Sequence, residues 1–328
     1  MRRSRLLWVA GASLTVLTAV VGCSSSEGIT GAKGTAESRG PEPSIPALST
    51  GMEGDPSKPV SFRGGGAVVR PDGSVTLPLD AYESPEDETV LVKGETVLAE
   101  KCMRAKGLTL PPTLKLTSGP QSPPPYVLFG VIDLAAVKEF GYREPVPPAN
   151  TTSRPEPRQK ISPAVSRAYF DDPKSGRTGC ESEARKKLRG GNQTPLFMII
   201  QQLTAQSLSA ANGDSRVKHA QSRWSACMKD SGFAYPDPLK PAHDRSLLGR
   251  GLPIPAGATL PPPSPAEIEV AVQDVKCKRK TAYLQTVTMV TAAYQQAYIE
   301  RDSLSLHEAQ QARTREVRAA RRLLEAAK

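Results

Sequence analysis

The sequence predicts a mainly α fold: two disulfide-tied helical units with long proline-rich loops, a small N-terminal β-hairpin and a long C-terminal helical region. Three observations lead to it. First, one helix ending occurs twice, as Cys102-Met103-Arg104-Ala105-Lys106-Gly107-Leu108 and as Cys227-Met228-Lys229-Asp230-Ser231-Gly232-Phe233. A glycine just past a helix takes the left-handed conformation without a Cβ clash. In the Schellman ending the next residue packs back on the residue five before it, which pairs Leu108 with Met103 and Phe233 with Met228. Second, beyond Cys23 the cysteines form an even set, Cys102, Cys180, Cys227 and Cys277, which suits a compartment that permits disulfides. Third, apolar residues recur at helical spacing from Ile268 to Tyr298 after the helix start Ser264-Pro265-Ala266-Glu267.

Four cysteines allow three pairings. The sequence favours Cys102 with Cys180 and Cys227 with Cys277, because each Cys-Met ending is then tied to the next cysteine-bearing helix and two similar units result. A zinc site made by all four is not expected, since no two lie within the two to four residues that structural zinc sites favour.

In chain order, Met1 to Arg5 carries three arginines and no acid, Leu6 to Val21 carries no charge, and Val20-Val21-Gly22-Cys23 closes the segment. A basic start, a short apolar core and a small residue before cysteine predict a lipoprotein signal peptide over residues 1–22. The Cys23 thiol then carries fatty acyl chains of the palmitate type and becomes the mature N-terminus. The apolar run is shorter than the roughly 20 residues of a spanning helix. Removing residues 1–22 leaves 40 basic and 33 acidic residues, a net charge of +7. Residues 23–66 are rich in Gly, Pro, Ser and charge with almost no aromatic residue, a composition that predicts a flexible tether.

A first unit is expected over residues 67–192. Gly66 to Arg70 and Ser74 to Leu79 flank Pro71-Asp72-Gly73, a hairpin signal with Pro78 marking an edge. Ser84-Pro85-Glu86-Asp87 starts a helix that should run to Lys106, capped by Ser84 and weakened at Gly94 by about 1 kcal/mol relative to alanine. Asp133 caps a short helix ending at Phe140, and residues 143–163 read as irregular. From Cys180 the pattern is helical to Gly190-Gly191. A second unit is expected over residues 193–328, with a helix from Thr194-Pro195 to about Ala211 and another from Asp214 into the second Cys-Met ending. A long C-terminal helix or helical hairpin follows, with a break near Asp302-Ser303.

Together the lipobox, the paired Cys-Met-x-x-x-Gly endings, Leu79-Asp80-Ala81-Tyr82, Gly179-Cys180-x-x-Glu183-Ala184 and Val270-Ala271-x-x-Asp274-Val275-x-Cys277-Lys278 resemble a family of uncharacterised actinobacterial lipoproteins. The resemblance implies a membrane-anchored location and a mostly helical architecture. It brings no reaction or ligand with it.

Motifs that carry chemistry are sparse. His219, His243 and His307 are far apart and read as surface residues. Gly213-Asp214-Ser215 resembles a hydrolase nucleophile block, but it lies between two helices, where Asp214 or Ser215 serves as a cap. Asp80 and Glu183 are the one carboxylate pair worth considering, and a cap or a solvated ion pair accounts for each. Tyr126, Tyr142 and Tyr235 stand beside proline-rich loops, where tyrosine commonly pins proline and less commonly lines a ligand groove. The arginine-rich stretch Arg313 to Arg322 suits an anionic lipid or wall polymer rather than nucleic acid.

The expectation is therefore a lipoprotein of the cell membrane, lipid-anchored through Cys23 on the extracytoplasmic face. It should be no enzyme, hold no cofactor or metal, and act as an envelope binding or scaffold module or as an accessory of a membrane complex. The alternative is a cell-wall-directed hydrolase or a transporter-linked solute receptor.

Overall fold

A computed structural model describes residues 41–47, 62–70, 75–115, 130–143, 161–191, 195–248 and 262–327. The signal peptide, Cys23, the Pro71-Asp72-Gly73 turn and Tyr126 lie outside the described residues.

A three-stranded antiparallel sheet opens the described chain: β1 (Phe62–Gly64), β2 (Ala67–Val69) and β3 (Val75–Thr76) in that order, with Val69 opposite both Phe62 and Val75. The β2–β3 pair is the hairpin the sequence predicts. Strand β1 falls in the stretch expected to be tether. It folds back through Gly65 and Gly66, whose φ values of +58° and +79° suit a two-residue hairpin turn that needs positive φ at both positions. Part of residues 41–47 also packs: Ile45 lies against the core, and Glu42 accepts hydrogen bonds from the Ser215 amide and hydroxyl at 2.8 Å each.

A 3-10 turn, Pro78–Tyr82, then leads into α1 (Pro85–Ala105). Ser84 accepts from the Asp87 amide at 3.1 Å, while the Asp87 carboxylate turns to Arg321 and leaves the capping box open. Both Cys-Met endings form as expected. Leu108 and Phe233 donate their amides to the Met103 and Met228 carbonyls at 2.9 Å, with Gly107 and Gly232 at φ +69° and +91°. Helix α2 (Leu134–Phe140) is capped by Asp133, and α4 (Cys180–Arg189) stops at Gly190. Between them α3 (Pro163–Tyr169) begins where the stretch read as irregular, residues 143–163, ends, and no helix was expected there; Ser162-Pro163 is the same serine-proline start found at Ser84 and Ser264.

Helices α5 (Pro195–Gly213) and α6 (Ser215–Asp230) follow, then one helical turn at Arg245–Leu248. The final periodic run forms three helices: α7 (Pro265–Lys280), α8 (Tyr283–Arg301) and α9 (Ser303–Glu325). The break at Asp302 was legible, whereas the one at Ala282 was not. Ala282 has φ +52°, a left-handed conformation on a residue that disfavours it.

Helix α8 is buried nearly all round, from Tyr283 to Gln295. It holds one cluster together with β2, α5 and α6 through Ala67, Val69, Ala211, Val217, Ala220 and Val290. A second cluster joins α1, α3 and α4 to α9 through Leu91, Met103, Tyr169, Ala184, Val317 and Ala320. The C-terminal helix thus packs into the unit expected to end at residue 192, and Pro41–Lys328 behaves as one compact body. One bridge, Cys102–Cys180, joins α1 to α4, and the other, Cys227–Cys277, joins α6 to α7.

Gly94 is where α1 and α9 touch. A Cβ built there would lie 2.9 Å from the Ala320 Cβ and 3.3 Å from Leu188 Cδ2. Helix propensity alone makes Gly94→Ala stabilising by about 1 kcal/mol, but overpacking a tight contact costs about 1–3 kcal/mol. We expect the variant to melt lower than the parent. The melting point should recover in Gly94→Ala with Ala320→Gly, and a higher melting point for the single variant would show that α9 does not sit where described.

Candidate functional site

The densest buried chemistry lies on α7. Glu267, Asp274 and Lys278, spaced seven and four residues apart, share one helical face, and Glu267, Asp274 and Lys278 are 0%, 0% and 2% exposed. Ser264 caps the helix by accepting from the Glu267 amide at 3.1 Å, which frees the Glu267 side chain to leave the cap. It accepts instead from the Tyr142 amide at 3.2 Å and from Arg143 Nη2 at 3.1 Å.

Asp274 takes three donors: Trp224 Nε1 at 2.9 Å, the Tyr142 hydroxyl at 3.2 Å and Lys278 Nζ at 3.0 Å. Lys278 also donates to the Val131 carbonyl at 3.0 Å, and Arg279 Nη2 to the Ile132 carbonyl at 3.3 Å. The segment 130–143 is therefore fastened to α7 at both ends by main-chain contacts. Its bounding glycines are required. Gly130 and Gly141 have φ +70° and +59°, and a Cβ would come within 2.8 Å of Lys278 Nζ at the first and 2.7 Å of Glu267 Oε1 at the second. Between them Leu134 and Val137 pack on Ala271 and Val275.

Burial pushes the Asp274 carboxyl above its ordinary range, and Lys278, Trp224 and Tyr142 pull it back. Burial and the neighbouring Asp274 likewise push the Tyr142 phenol far above its ordinary value of 10.0. These groups are hydrogen-bonded to one another. Beside Lys278 a cavity of about 10 Å³, bounded by Ile132, Arg279 and Gln285, has room for about one water molecule. The arrangement holds a segment in place.

A second ionic network joins α1, α4 and α9. Arg189 binds Glu88 at 2.8 Å and also contacts Glu95, while Arg313 contacts the same Glu88 carboxylate and lies 3.9 Å from Glu316. Desolvation acts to raise the Glu88 carboxyl, but Arg189 and Arg313 outweigh it and hold the group below its ordinary 4.5. Because the folded value is the lower one, this stabilisation is present above about pH 4.5 and is lost as pH falls through the folded value. Glu316 and Asp274, both raised by burial, act in the opposite sense at higher pH. Thermal melts should show an acid limb below pH 4.5 that flattens in Glu88→Gln. An unchanged limb would mean that other carboxylates drive acid unfolding.

The residues singled out by sequence take other places. Asp80 accepts from the Leu77 amide at 2.8 Å, whereas Glu183 stands exposed beside Lys106, 3.9 Å away; they do different local work. Asp214 caps α6, accepting from the Arg216 amide at 2.9 Å, and is held by the Arg216 side chain and the Tyr294 hydroxyl. Tyr142 and Tyr235 pack against one cluster, but their hydroxyls are taken up by the buried Asp274 and by the partly exposed Asp244. His219, His243 and His307 are exposed, and among the described residues no three His, Cys, Asp or Glu are grouped to hold a metal ion.

The sequence alone places Asp274 and Lys278 in a motif and Glu267 in a helix start without giving any of them a partner, because periodicity marks only the apolar face of α7. The available signal was an acid, an acid and a lysine on one face beside Cys277, following a capping serine.

Fold and site define a mainly helical, disulfide-tied protein whose buried charges fasten its own loops. Among the described residues no helix is long and apolar enough to cross a membrane. No family model, no curated protein and no solved structure matches the chain.

Proposed function

We propose that the chain is a lipoprotein anchored through acylated Cys23 on the extracytoplasmic face of the membrane, where its folded body acts as an envelope binding or scaffold module or as an accessory of a membrane complex. The observation that carries this reading is the run Val20-Val21-Gly22-Cys23 behind a basic start and an uncharged apolar core. The two disulfides support it, since such bridges persist in oxidising compartments. So does the resemblance to actinobacterial lipoproteins.

The body begins at Pro41, and eighteen residue steps from Cys23 span at most about 60 Å fully extended. On this reading the start of the folded body stays within that distance of the membrane. Replacing Cys23 with alanine should release the protein from the membrane fraction; retention there would point to an uncleaved spanning anchor. In-cell cross-linking of the acylated form, with mass spectrometry of what it captures, then tests the scaffold role. Reproducible recovery of one membrane protein supports the accessory role, and recovery of lipid or wall polymer alone overturns that role and leaves binding through the basic surface.

A further inference from the structure

The five arginines of α9, a helix that carries no lysine, do two different jobs. Arg313 is turned inward and is only 15% exposed, holding Glu88. Arg315, Arg318 and Arg322 are exposed, lie on one face at spacings of three and four residues, and are in no ion pair among the described residues. Arg321 is exposed beside them and reaches Asp87 at 3.3 Å. The one acid within this stretch, Glu316, is withdrawn toward Arg313 and is 11% exposed. The next exposed acids on the helix are Glu308 and Glu325, beyond either end of the arginine row.

The apolar side of α9 is already occupied. Val317 and Ala320 are buried against α1 and α4, so the helix cannot insert into a bilayer and only its guanidinium face is open. Three guanidiniums along about 10 Å of helix form a rigid row, each planar and able to bind two phosphate oxygens at once. A face that merely keeps a protein in solution needs neither arginine in place of lysine nor the withdrawal of its acid.

We propose that Arg315, Arg318 and Arg322 dock the folded body onto the phosphate headgroups of an anionic bilayer, so that the protein lies in a set orientation beside its own anchor. This rests on the membrane-anchored reading above. The acyl chains supply attachment, and the arginine row supplies orientation. Because an acyl anchor close in sequence to the body would keep it at roughly millimolar effective concentration over the bilayer, a weak intrinsic affinity is sufficient, and each exposed arginine near an anionic surface contributes about a fivefold preference.

The test uses the full mature chain from Ser24, made without acyl groups, and vesicles of phosphatidylglycerol and phosphatidylcholine in equal parts, with pure phosphatidylcholine as reference. Binding to the mixed vesicles should fall about a hundredfold in Arg315→Gln/Arg318→Gln/Arg322→Gln. It should fall far less in Lys218→Gln/Lys276→Gln/Lys280→Gln, which removes the same charge from exposed positions on α6 and α7. Circular dichroism checks that both variants remain folded. Equal losses in the two triples would overturn the proposal in favour of diffuse attraction. Binding to sodium polyphosphate but not to mixed vesicles would overturn it in favour of a wall polymer. A failure of Cys23 acylation leaves this assay untouched, so the two readings fail separately.

Discussion

Asp274→Ala should destabilise the protein by about 3–5 kcal/mol, the range for removing one partner of a buried ion pair. Lys278 is 2% exposed and its amine would be left with the Val131 carbonyl as its remaining partner. The Trp224 indole and the Tyr142 hydroxyl would lose their acceptor in the same step. The damage should reach Segment 130–143, because Tyr142 and Val131 are two of the points that fasten it.

Asp274→Asn keeps an oxygen for the indole but still strands the ammonium, so it should be damaging too. Asp274→Leu combined with Lys278→Met removes both charges and should recover much of the loss, since apolar replacements of a buried pair are often neutral. The readout is built in. The chain has two tryptophans, and Trp8 lies in the expected signal peptide, so Trp224 reports alone in the mature protein. Its emission should shift to the red in Asp274→Ala before the melt. A loss under about 1 kcal/mol would mean that the pair is not dry, contrary to the burial described.

Removing either disulfide should cost about 4 kcal/mol in the chain-entropy treatment, with little difference between bridges that close separations of 78 and 50 residues. Against a total stability of about 5–15 kcal/mol for an ordinary domain, losing both should unfold the protein near body temperature. Paired Cys→Ala variants distinguish the bridges spectroscopically. Cys227 and Cys277 pack in the cluster that contains Trp224, whereas Cys102 and Cys180 belong to the cluster of α1, α4 and α9. Breaking the first bridge should therefore alter Trp224 emission in the still-folded protein, and breaking the second should lower the melting point without that signature. Non-reducing peptide mapping checks the connectivity directly; free thiols or crossed peptides would remove the basis for both expectations.

What the sequence determined by itself were the features set within a few residues of chain. The two Schellman endings need only a glycine and an apolar residue at the correct offsets, and the caps at Ser84, Asp133, Asp214 and Ser264 each satisfy an amide two or three positions ahead. Helix content, the β2–β3 pair and the favoured cysteine pairing followed from such local signals and their order along the chain. Even the missed α3 had its local sign in Ser162-Pro163, hidden among prolines that argued for a loop.

Tertiary structure alone decided where charge goes inside. Lys278 is held by a carbonyl 147 residues earlier and Glu267 by an amide 125 residues earlier, partners that no periodicity on α7 can reveal. It also decided that Gly94 serves contact with Ala320 rather than merely weakening α1, and that α9 returns to the first helices. A cap is settled by the geometry of one turn, which the chain carries with it everywhere. The burial of a carboxylate or an ammonium is settled by whether distant donors and acceptors arrive to replace water, and those arrive only when the whole body has folded.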